Sequence, residues 1–192
     1  MAGVIAAIHL LLSSAGAADA AKVLEDVEAA RPDWLPDLDR CPADVVPPRA
    51  AKLEYDKERC AAALDQCLRN CRGGLAGDCY ASALILQEVR KNPVSEALFL
   101  KACSLGIVSG CTNRAASMDG GHDDRCAIRT YEMGCDRDDP WACTMLGFHV
   151  VRGIGVTQDP ERARQVLSKS CRFGETDPAC GYAKGLLREI GD

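Results

Sequence analysis

The chain has 192 residues, a formal net charge of −5 and an aromatic content of 5%. The negative charge and the lack of Lys/Arg runs argue against nonspecific nucleic-acid binding. With so few aromatic residues, the core must be built from alanine, leucine and cystine, as expected of thin helical layers. The predicted fold class is all-α.

The amino-terminal segment has the composition of an export signal. Residues 4–12 form an apolar run interrupted only by His9, and a stretch of small residues follows over 13–20. This order is typical of a signal peptide, with cleavage after Ala17 or Ala20. Residues 1–20 are therefore interpreted as a leader. An uncleaved anchor is the alternative, because about 18 uncharged residues is the short limit for a membrane span; otherwise no membrane insertion is expected.

Residues 21–48 are predicted to form a short helix and a Pro-rich linker. Val23 and Val27 lie on one stripe of a helix over residues 21–31, and the prolines that follow discourage regular structure. A repeat domain is predicted to occupy residues 49–192.

Eight cysteines fall into four close pairs at a nearly constant distance along the repeat domain. The pairs are Cys71/Cys79, Cys103/Cys111, Cys135/Cys143 and Cys171/Cys180. Their first members are 32, 32 and 36 positions apart. A period in this range is typical of an array of stacked structural units.

Small residues recur at fixed offsets from these pairs. They are Ala63, Ser95, Ala127 and Ala163, eight residues before the first cysteine, and Ala83, Ala115 and Gly147, four residues after the second. Small residues at helical spacing allow two helices to approach closely. Each unit is predicted to contain a helix that begins at the second cysteine, a turn, and a second helix that ends at the next pair. The last of about four units is mainly a capping helix over residues 179–190.

The turn of the third unit shows the helix-turn-helix pattern most fully. The Gly-rich residues 152–156 are followed by Asp159, Pro160 and Glu161. Asp159 is predicted to cap the next helix, Pro160 suits its first position, and Glu161 suits the positive end of the helix dipole.

This pattern resembles the Sel-1-like repeat: a small-residue helix, G-x-G-V, an Asp-Pro cap, then Ala and a large residue before a Cys-x7-Cys pair. It is similar in particular to the secreted cysteine-rich Hcp-like branch of that family, over about residues 56–187. The resemblance implies a right-handed α-solenoid of stacked, TPR-like helix pairs. It also implies one disulfide within each of the four cysteine pairs.

The cysteine usage also predicts a compartment. The chain has twelve cysteines, three histidines and no Cys-x2-Cys pair, which indicates disulfides rather than zinc ligands. Disulfides persist in oxidising environments, so the predicted location is periplasmic or extracellular.

Four cysteines lie outside the repeated pairs: Cys41, Cys60, Cys67 and Cys126. Cys60 and Cys67 would be about 10 Å apart on one continuous helix, which is too far for a disulfide. The preferred hypothesis is that Cys41 bonds to Cys60 or Cys67. The remaining cysteine and Cys126 then form a long-range bridge or stay as thiols.

No catalytic constellation is found in the sequence, and no catalytic residue, metal site or cofactor is assigned. His122 and His149 lack partners in any metal-binding motif, so a structural role is expected for both. The acidic clusters at 123–124 and 136–139 lack EF-hand spacing and are interpreted as turns or helix caps.

Two further functional classes were considered. The resemblance to Hcp-like proteins implies β-lactam binding or weak β-lactamase activity as an alternative, although S-x-x-K, S-D-N and K-T-G are all absent from the chain. A thiol- or metal-linked assembly factor is the second alternative, with Cys67 and Cys71 as an exchangeable pair.

The preferred functional prediction is an exported, monomeric scaffold that binds a protein or peptide. Stacked helix pairs form extended concave surfaces, which repeat proteins use for binding. The first helix of each unit would line that surface. Asn113, Arg114 and Thr144 project between the small positions on these helices and are the candidate contacts.

Overall fold

The computed structural model describes residues 14–118 and 124–191. All regular secondary structure within these ranges is helical. The helices are α1 (Ser14–Ala30), α2 (Pro42–Val45), α3 (Lys57–Ala62), α4 (Leu64–Arg72), α5 (Ala76–Val89), α6 (Pro93–Ser104), α7 (Val108–Ala116), α8 (Asp124–Asp136), α9 (Pro140–Arg152), α10 (Pro160–Lys169) and α11 (Pro178–Glu189). None of the described helices has the length and apolarity that crossing a membrane requires.

The predicted leader lies mostly outside the described residues. Its last part, from Ser14, belongs to α1, which continues past both expected cleavage positions. Ala20 and Leu24 of this helix are buried in the same core cluster as α5 and α6. His122 lies within 119–123 and is outside the described ranges.

Four helices begin with the same cap, an Asp or Asn followed by proline. The pairs are Asn92-Pro93 for α6, Asp139-Pro140 for α9, Asp159-Pro160 for α10 and Asp177-Pro178 for α11. Each cap side chain accepts a hydrogen bond from a free backbone N–H of the first turn, which stabilises the helix start. The predicted cap at Asp159 is confirmed, because its carboxylate accepts from the Arg162 N–H at 2.9 Å.

From α4 to α11, each helix packs against the next one in the chain, and α9 also contacts α7 and α11. The first helix of each pair begins one turn earlier than predicted. Helix α5 starts three residues before Cys79, and α7 and α9 start three residues before Cys111 and Cys143. The turns before α5, α7 and α9 are short. The second cysteine of each pair therefore bonds to the first from within the first turn of its helix.

The predicted small positions are where the helices approach each other. Ser95, Ala127, Ala163, Ala83, Ala115 and Gly147 are all buried. A Cβ at Gly147 of α9 would clash with Leu167 of α10, so this contact requires glycine. Ala63 differs, because it is exposed and separates α3 from α4.

All twelve cysteines form disulfides. The structure joins each of the four repeated pairs, with Cα–Cα distances of 4.4 to 4.7 Å. These bonds link the end of one helix pair to the first turn of the next. Loops this short are worth about 2 to 3 kcal/mol each in the chain-entropy account of disulfide stabilisation.

The expected pairing of the outlying cysteines was wrong. Cys60 bonds to Cys67, and Cys41 bonds to Cys126. The helix is not continuous between Cys60 and Cys67, because Ala63 leaves the helical conformation (φ −148°, ψ 56°). This break brings the two Cα atoms to 5.6 Å. Cys67 and Cys71 therefore belong to different disulfides, and the predicted exchangeable pair is not formed.

The Pro-rich segment predicted as a linker packs along the helix pairs. We call residues 31–56 the N-terminal arm. It passes the turns between units in reverse order: the Pro47 carbonyl accepts from Arg137 after α8, the Ala51 N–H donates to Gly106 after α6, and Glu54 lies against Gly77 at the start of α5. A Cβ at Gly77 would overlap the Glu54 carbonyl oxygen, which shows how closely the arm approaches.

Candidate binding groove

An apolar groove of about 810 Å³ lies between α9 and α11. Its lining residues are Trp141, Thr144, Met145, Phe148 and Arg152 from α9, and Pro178, Gly181, Tyr182, Gly185, Leu186 and Glu189 from α11. The α9 residues recur every three or four positions, so they share one helix face. The opposite face of α9 is buried in the core.

Two aromatic side chains form the mouth of this groove. Trp141 is 39% exposed and Tyr182 is 67% exposed. Their ring centroids are 5.4 Å apart at an interplanar angle of 53°. Tyrosine and tryptophan are enriched at binding surfaces because they offer a large apolar area together with a hydrogen-bonding tip.

Two glycines open the α11 side of the groove. Gly181 and Gly185 are one helical turn apart in the interior of α11. A Cβ at Gly181 would meet nothing within 4 Å, and one at Gly185 would approach only the Arg188 guanidinium, at 4.0 Å. Helix packing therefore does not require glycine at either position, although glycine costs about 1 kcal/mol relative to alanine in a helix interior. Their effect is to leave space in the groove.

One end of the groove is closed by an ion pair. Arg152 of α9 pairs with Glu189 of α11, and its guanidinium lies 5.9 Å from the centroid of the Phe148 ring. Because the two charges neutralise each other, they place no net charge at the groove. The arrangement favours an uncharged, apolar ligand segment at the centre.

The structure buries two of the three predicted contact residues. Arg114 is 6% exposed and Thr144 is 3% exposed, so neither offers the free side chain that was expected. The Thr144 hydroxyl lies 3.0 and 3.1 Å from the carbonyl oxygens of Pro140 and Ala179, which ties α9 to α11 beneath the groove.

Arg114 of α7 holds the N-terminal arm. Its guanidinium donates to the Leu38 carbonyl at 2.7 Å and lies 3.5 Å from the Glu96 carboxylate. Burial lowers the pKa of Arg114, and the nearby Glu96 carboxylate acts in the opposite direction.

Asn113 lies at the base of a second, smaller groove of about 300 Å³, lined also by Lys91, Glu96 and Phe99. Its amide donates to the Ser109 carbonyl at 2.8 Å and lies 3.3 Å from the Tyr80 hydroxyl. These partners orient the Asn113 side chain between α5 and α7. It is half-buried and remains the most accessible of the three predicted contacts.

The buried titratable residues have structural partners. The His149 Nδ1 atom lies 3.1 Å from the Ile154 carbonyl oxygen, in the turn after α9. Asp139 caps α9 and accepts a hydrogen bond from the Ser109 hydroxyl at 2.5 Å. Burial raises the pKa of Asp139, while its hydrogen bonds act to lower it.

One cluster combines sulfur and carboxylate atoms. The donor atoms of Cys60, Cys67 and Asp78 lie within 4.8 Å of one another. The two sulfurs are joined in a disulfide, and the Asp78 carboxylate pairs with the Arg59 guanidinium and accepts from Asn70 at 2.8 Å. These donors are already engaged, and a cation would compete directly with Arg59.

No protein-family model, curated protein or solved structure matches this chain. The role of the groove is therefore inferred from its own residues. The groove was not predicted from the sequence, although two signals were present. They are the pair of helix-interior glycines, Gly181 and Gly185, and the apolar stripe Trp141, Met145 and Phe148 on the predicted first helix of the third unit.

Proposed function

We propose that this protein is an exported scaffold that binds an apolar segment of a protein or peptide in the groove between α9 and α11. The observation that carries the proposal is an open, uncharged, aromatic-lined groove, shaped on one side by two glycines that packing does not require. An apolar peptide that fills it would bury Trp141, Phe148 and Tyr182. Aromatic residues of this kind dominate binding energy at many interfaces.

The proposed architecture is a right-handed solenoid of Sel-1-like helix pairs. Sequential packing from α4 to α11 and the contacts of α9 with α7 and α11 support it. Helix α11 fits the role of a cap. Four and eight residues after Cys180, α11 carries Lys184 and Arg188. At the same distances after Cys143, α9 carries Gly147 and Val151. A polar outer face is required of a terminal repeat.

The proposed location is periplasmic or extracellular, and six disulfides support it. Such bonds are rare in compartments where thiols are kept reduced. The proposal of a monomeric scaffold can be checked on the oxidised protein by light scattering, alongside the binding assay.

The proposal is tested by selecting peptides from a random displayed library on the oxidised protein and measuring their affinities. We expect the selected peptides to share two or more aromatic or branched aliphatic residues at their centre. Gly185→Phe places a ring in the groove without displacing a packed neighbour, because the glycine has open space around it. This variant should weaken binding by about tenfold or more, since filled volume removes contacts from the hot-spot residues.

Ser168→Phe is the matched control, because it adds the same ring to an exposed position of α10, outside the groove. It should bind the selected peptides as the wild type does. Equal binding by Gly185→Phe and wild type would contradict the proposal, provided that both are folded by circular dichroism. Selected peptides with charged centres would contradict it as well.

A further inference from the structure

The Cys41–Cys126 disulfide differs from the other five in what it joins. It spans 85 positions of sequence, whereas the others span seven to nine. Cys41 precedes α2 in the N-terminal arm, and Cys126 lies in the first turn of α8. Opening this bond would remove a long-range link between the arm and α8, whereas opening any of the others would open only a short loop.

This disulfide is also reachable from solvent. It forms part of the wall of an open cavity of about 560 Å³, whose other lining residues are Asp39, Arg40, Asp44, Arg125 and Arg129. Cys41 is half-buried, whereas nearly all the other cysteines are buried. Cys171 is the other half-buried one, which makes Cys171–Cys180 a matched comparison for exposure. The open cavity therefore offers a thiol a route to this bond.

The charges around the cavity favour bond opening. Three arginines and two aspartates line it, and one of these arginines, Arg129, pairs with Asp44 at 2.7 Å. Arg125 is exposed and directly precedes Cys126. Positive charge beside a disulfide stabilises the thiolate that leaves during exchange, and a better leaving group accelerates the reaction.

We propose that Cys41–Cys126 is a thiol-exchange site for a dithiol oxidoreductase, and that its opening releases the part of the N-terminal arm that follows α2. One thiolate of the partner attacks the Cys41 sulfur, forming a mixed disulfide and expelling the Cys126 thiolate. The second thiol of the partner then attacks the partner sulfur that is bonded to Cys41 in the mixed disulfide. This step closes the partner's own disulfide and expels the Cys41 thiolate. The partner dithiol is oxidised to a disulfide, Cys41–Cys126 is reduced by two electrons, and the two protons pass to the released cysteines.

After reduction, the first part of the arm stays attached through Trp34 and Leu35, which pack against the core, and through α2, which packs against α6, α7 and α8. Beyond α2, the remaining hydrogen bonds run from Arg137 to the Pro47 carbonyl and from the Ala51 N–H to the Gly106 carbonyl. The residues of the arm from Arg49 to Tyr55 are exposed. The main apolar contact of this stretch is that of the Tyr55 ring, whose centroid lies 5.0 Å from that of Tyr80. Exposed segments with few apolar contacts open locally at low cost. This inference does not depend on the groove between α9 and α11.

The test uses the full oxidised protein and reduced thioredoxin as the dithiol probe. Timed samples are alkylated and mapped by peptide mass. We expect Cys41 and Cys126 to be labelled about tenfold faster than Cys171 and Cys180, because the two bonds are similarly exposed and the arginines of the cavity stabilise the leaving thiolate of the first. Labelling of Cys171 and Cys180 first, or at the same rate, would overturn the assignment.

Two variants test whether the positive charge beside the Cys41–Cys126 bond, rather than its exposure, sets its rate of opening. Arg125→Gln should slow the opening of Cys41–Cys126 severalfold, because it removes positive charge beside the leaving thiolate. Arg172→Gln is the control, since it makes the same change beside Cys171 and should leave Cys41–Cys126 unaffected. Equal rates for wild type and Arg125→Gln would contradict the electrostatic part of the proposal.

Release of the arm is measured by limited trypsin digestion at Arg49 and Lys52. Cleavage should be faster once Cys41–Cys126 is reduced, and Cys41→Ala/Cys126→Ala should be cut at that faster rate without any reductant. If the reduced protein and the double variant are cut as slowly as the oxidised wild type, the arm does not detach and the proposed switch is excluded.

Discussion

At the scale of single residues, glycines in helix interiors have two opposite roles in this protein. Gly147 of α9 is required by packing, because a Cβ would clash with Leu167. Gly185 of α11 has open space around it, with the Arg188 guanidinium as the nearest group at 4.0 Å. The same substitution should therefore have opposite effects at the two positions.

Gly147→Ala is expected to lower the free energy of unfolding by about 1 to 2 kcal/mol, because overpacking outweighs the helix-propensity gain. Gly185→Ala is expected to raise it by about 0.5 to 1 kcal/mol, because only the propensity gain remains. Urea unfolding of the disulfide-intact proteins measures both values. A destabilised Gly185→Ala would show that its glycine is needed for packing.

Asp139 predicts a pH dependence of stability. Its pKa is raised by burial, so the native state binds this proton more tightly than the unfolded state does. Protons bound preferentially by the native state make stability fall as the pH rises. The fall begins near the ordinary aspartate pKa of 3.8 and continues up to the raised native pKa.

Asp139→Asn keeps a capping oxygen and removes the titration. The unfolding free energy of the wild type, minus that of this variant, should therefore decrease as the pH is raised from about 4 towards neutrality. Urea unfolding at a series of pH values gives this difference directly. A difference that is constant or increases with pH would contradict the stated direction.

Sequence periodicity predicted the core residues better than the surface residues. The small positions, including Ala115 and Gly147, were correctly expected at helix contacts. Arg114 and Thr144 were expected on an open surface, yet both are buried. Helical spacing identifies residues that share a face, but it does not show that the N-terminal arm or the next unit covers that face.

At the scale of elements, the N-terminal arm is the feature least visible in the sequence. Its prolines rule out long helices, and it has no periodicity from which packing partners can be read. Its position depends on side chains far away in the chain, such as Arg114, which binds the Leu38 carbonyl. The Cys60–Cys67 bond was missed for a local reason, since nothing in the sequence around Ala63 marks the helix break.

Removing the Arg114 anchor should destabilise the protein. Arg114→Met is expected to cost about 3 kcal/mol, because it leaves the largely buried Glu96 carboxylate without its cation and the Leu38 carbonyl without its donor. Adding Glu96→Gln should recover part of that loss. Urea unfolding of the single and double variants tests this coupling, and equal losses in the two would contradict it.

At the scale of the whole molecule, short disulfides join successive helix pairs, and one long-range disulfide ties the arm across them. The short bonds between helix pairs were predictable because the cysteine period is regular. The bond between Cys41 and Cys126 was not, since the spacing of two isolated cysteines does not reveal their partners. Its closed loop of 85 positions gives it the largest expected effect on the unfolded chain.

Cys41→Ala/Cys126→Ala should lower the unfolding free energy by about 4.5 kcal/mol, and Cys171→Ala/Cys180→Ala by about 2.5 kcal/mol, because loop-closure entropy grows with loop length. The two pairs have similar exposure, so the comparison isolates the loop. Urea unfolding with the remaining disulfides intact provides the measurement. An equal loss for the two variants would show that loop length does not determine their contributions.

Binding of an apolar peptide segment in the groove between α9 and α11 can be followed through the fluorescence of Trp141. The chain has two tryptophans, and Trp34→Phe leaves Trp141 at the groove mouth as the only one. Titration with a selected apolar peptide should shift its emission to shorter wavelength as the indole is buried. Binding at the wild-type affinity with unchanged Trp141 emission would place the peptide elsewhere and contradict the claim.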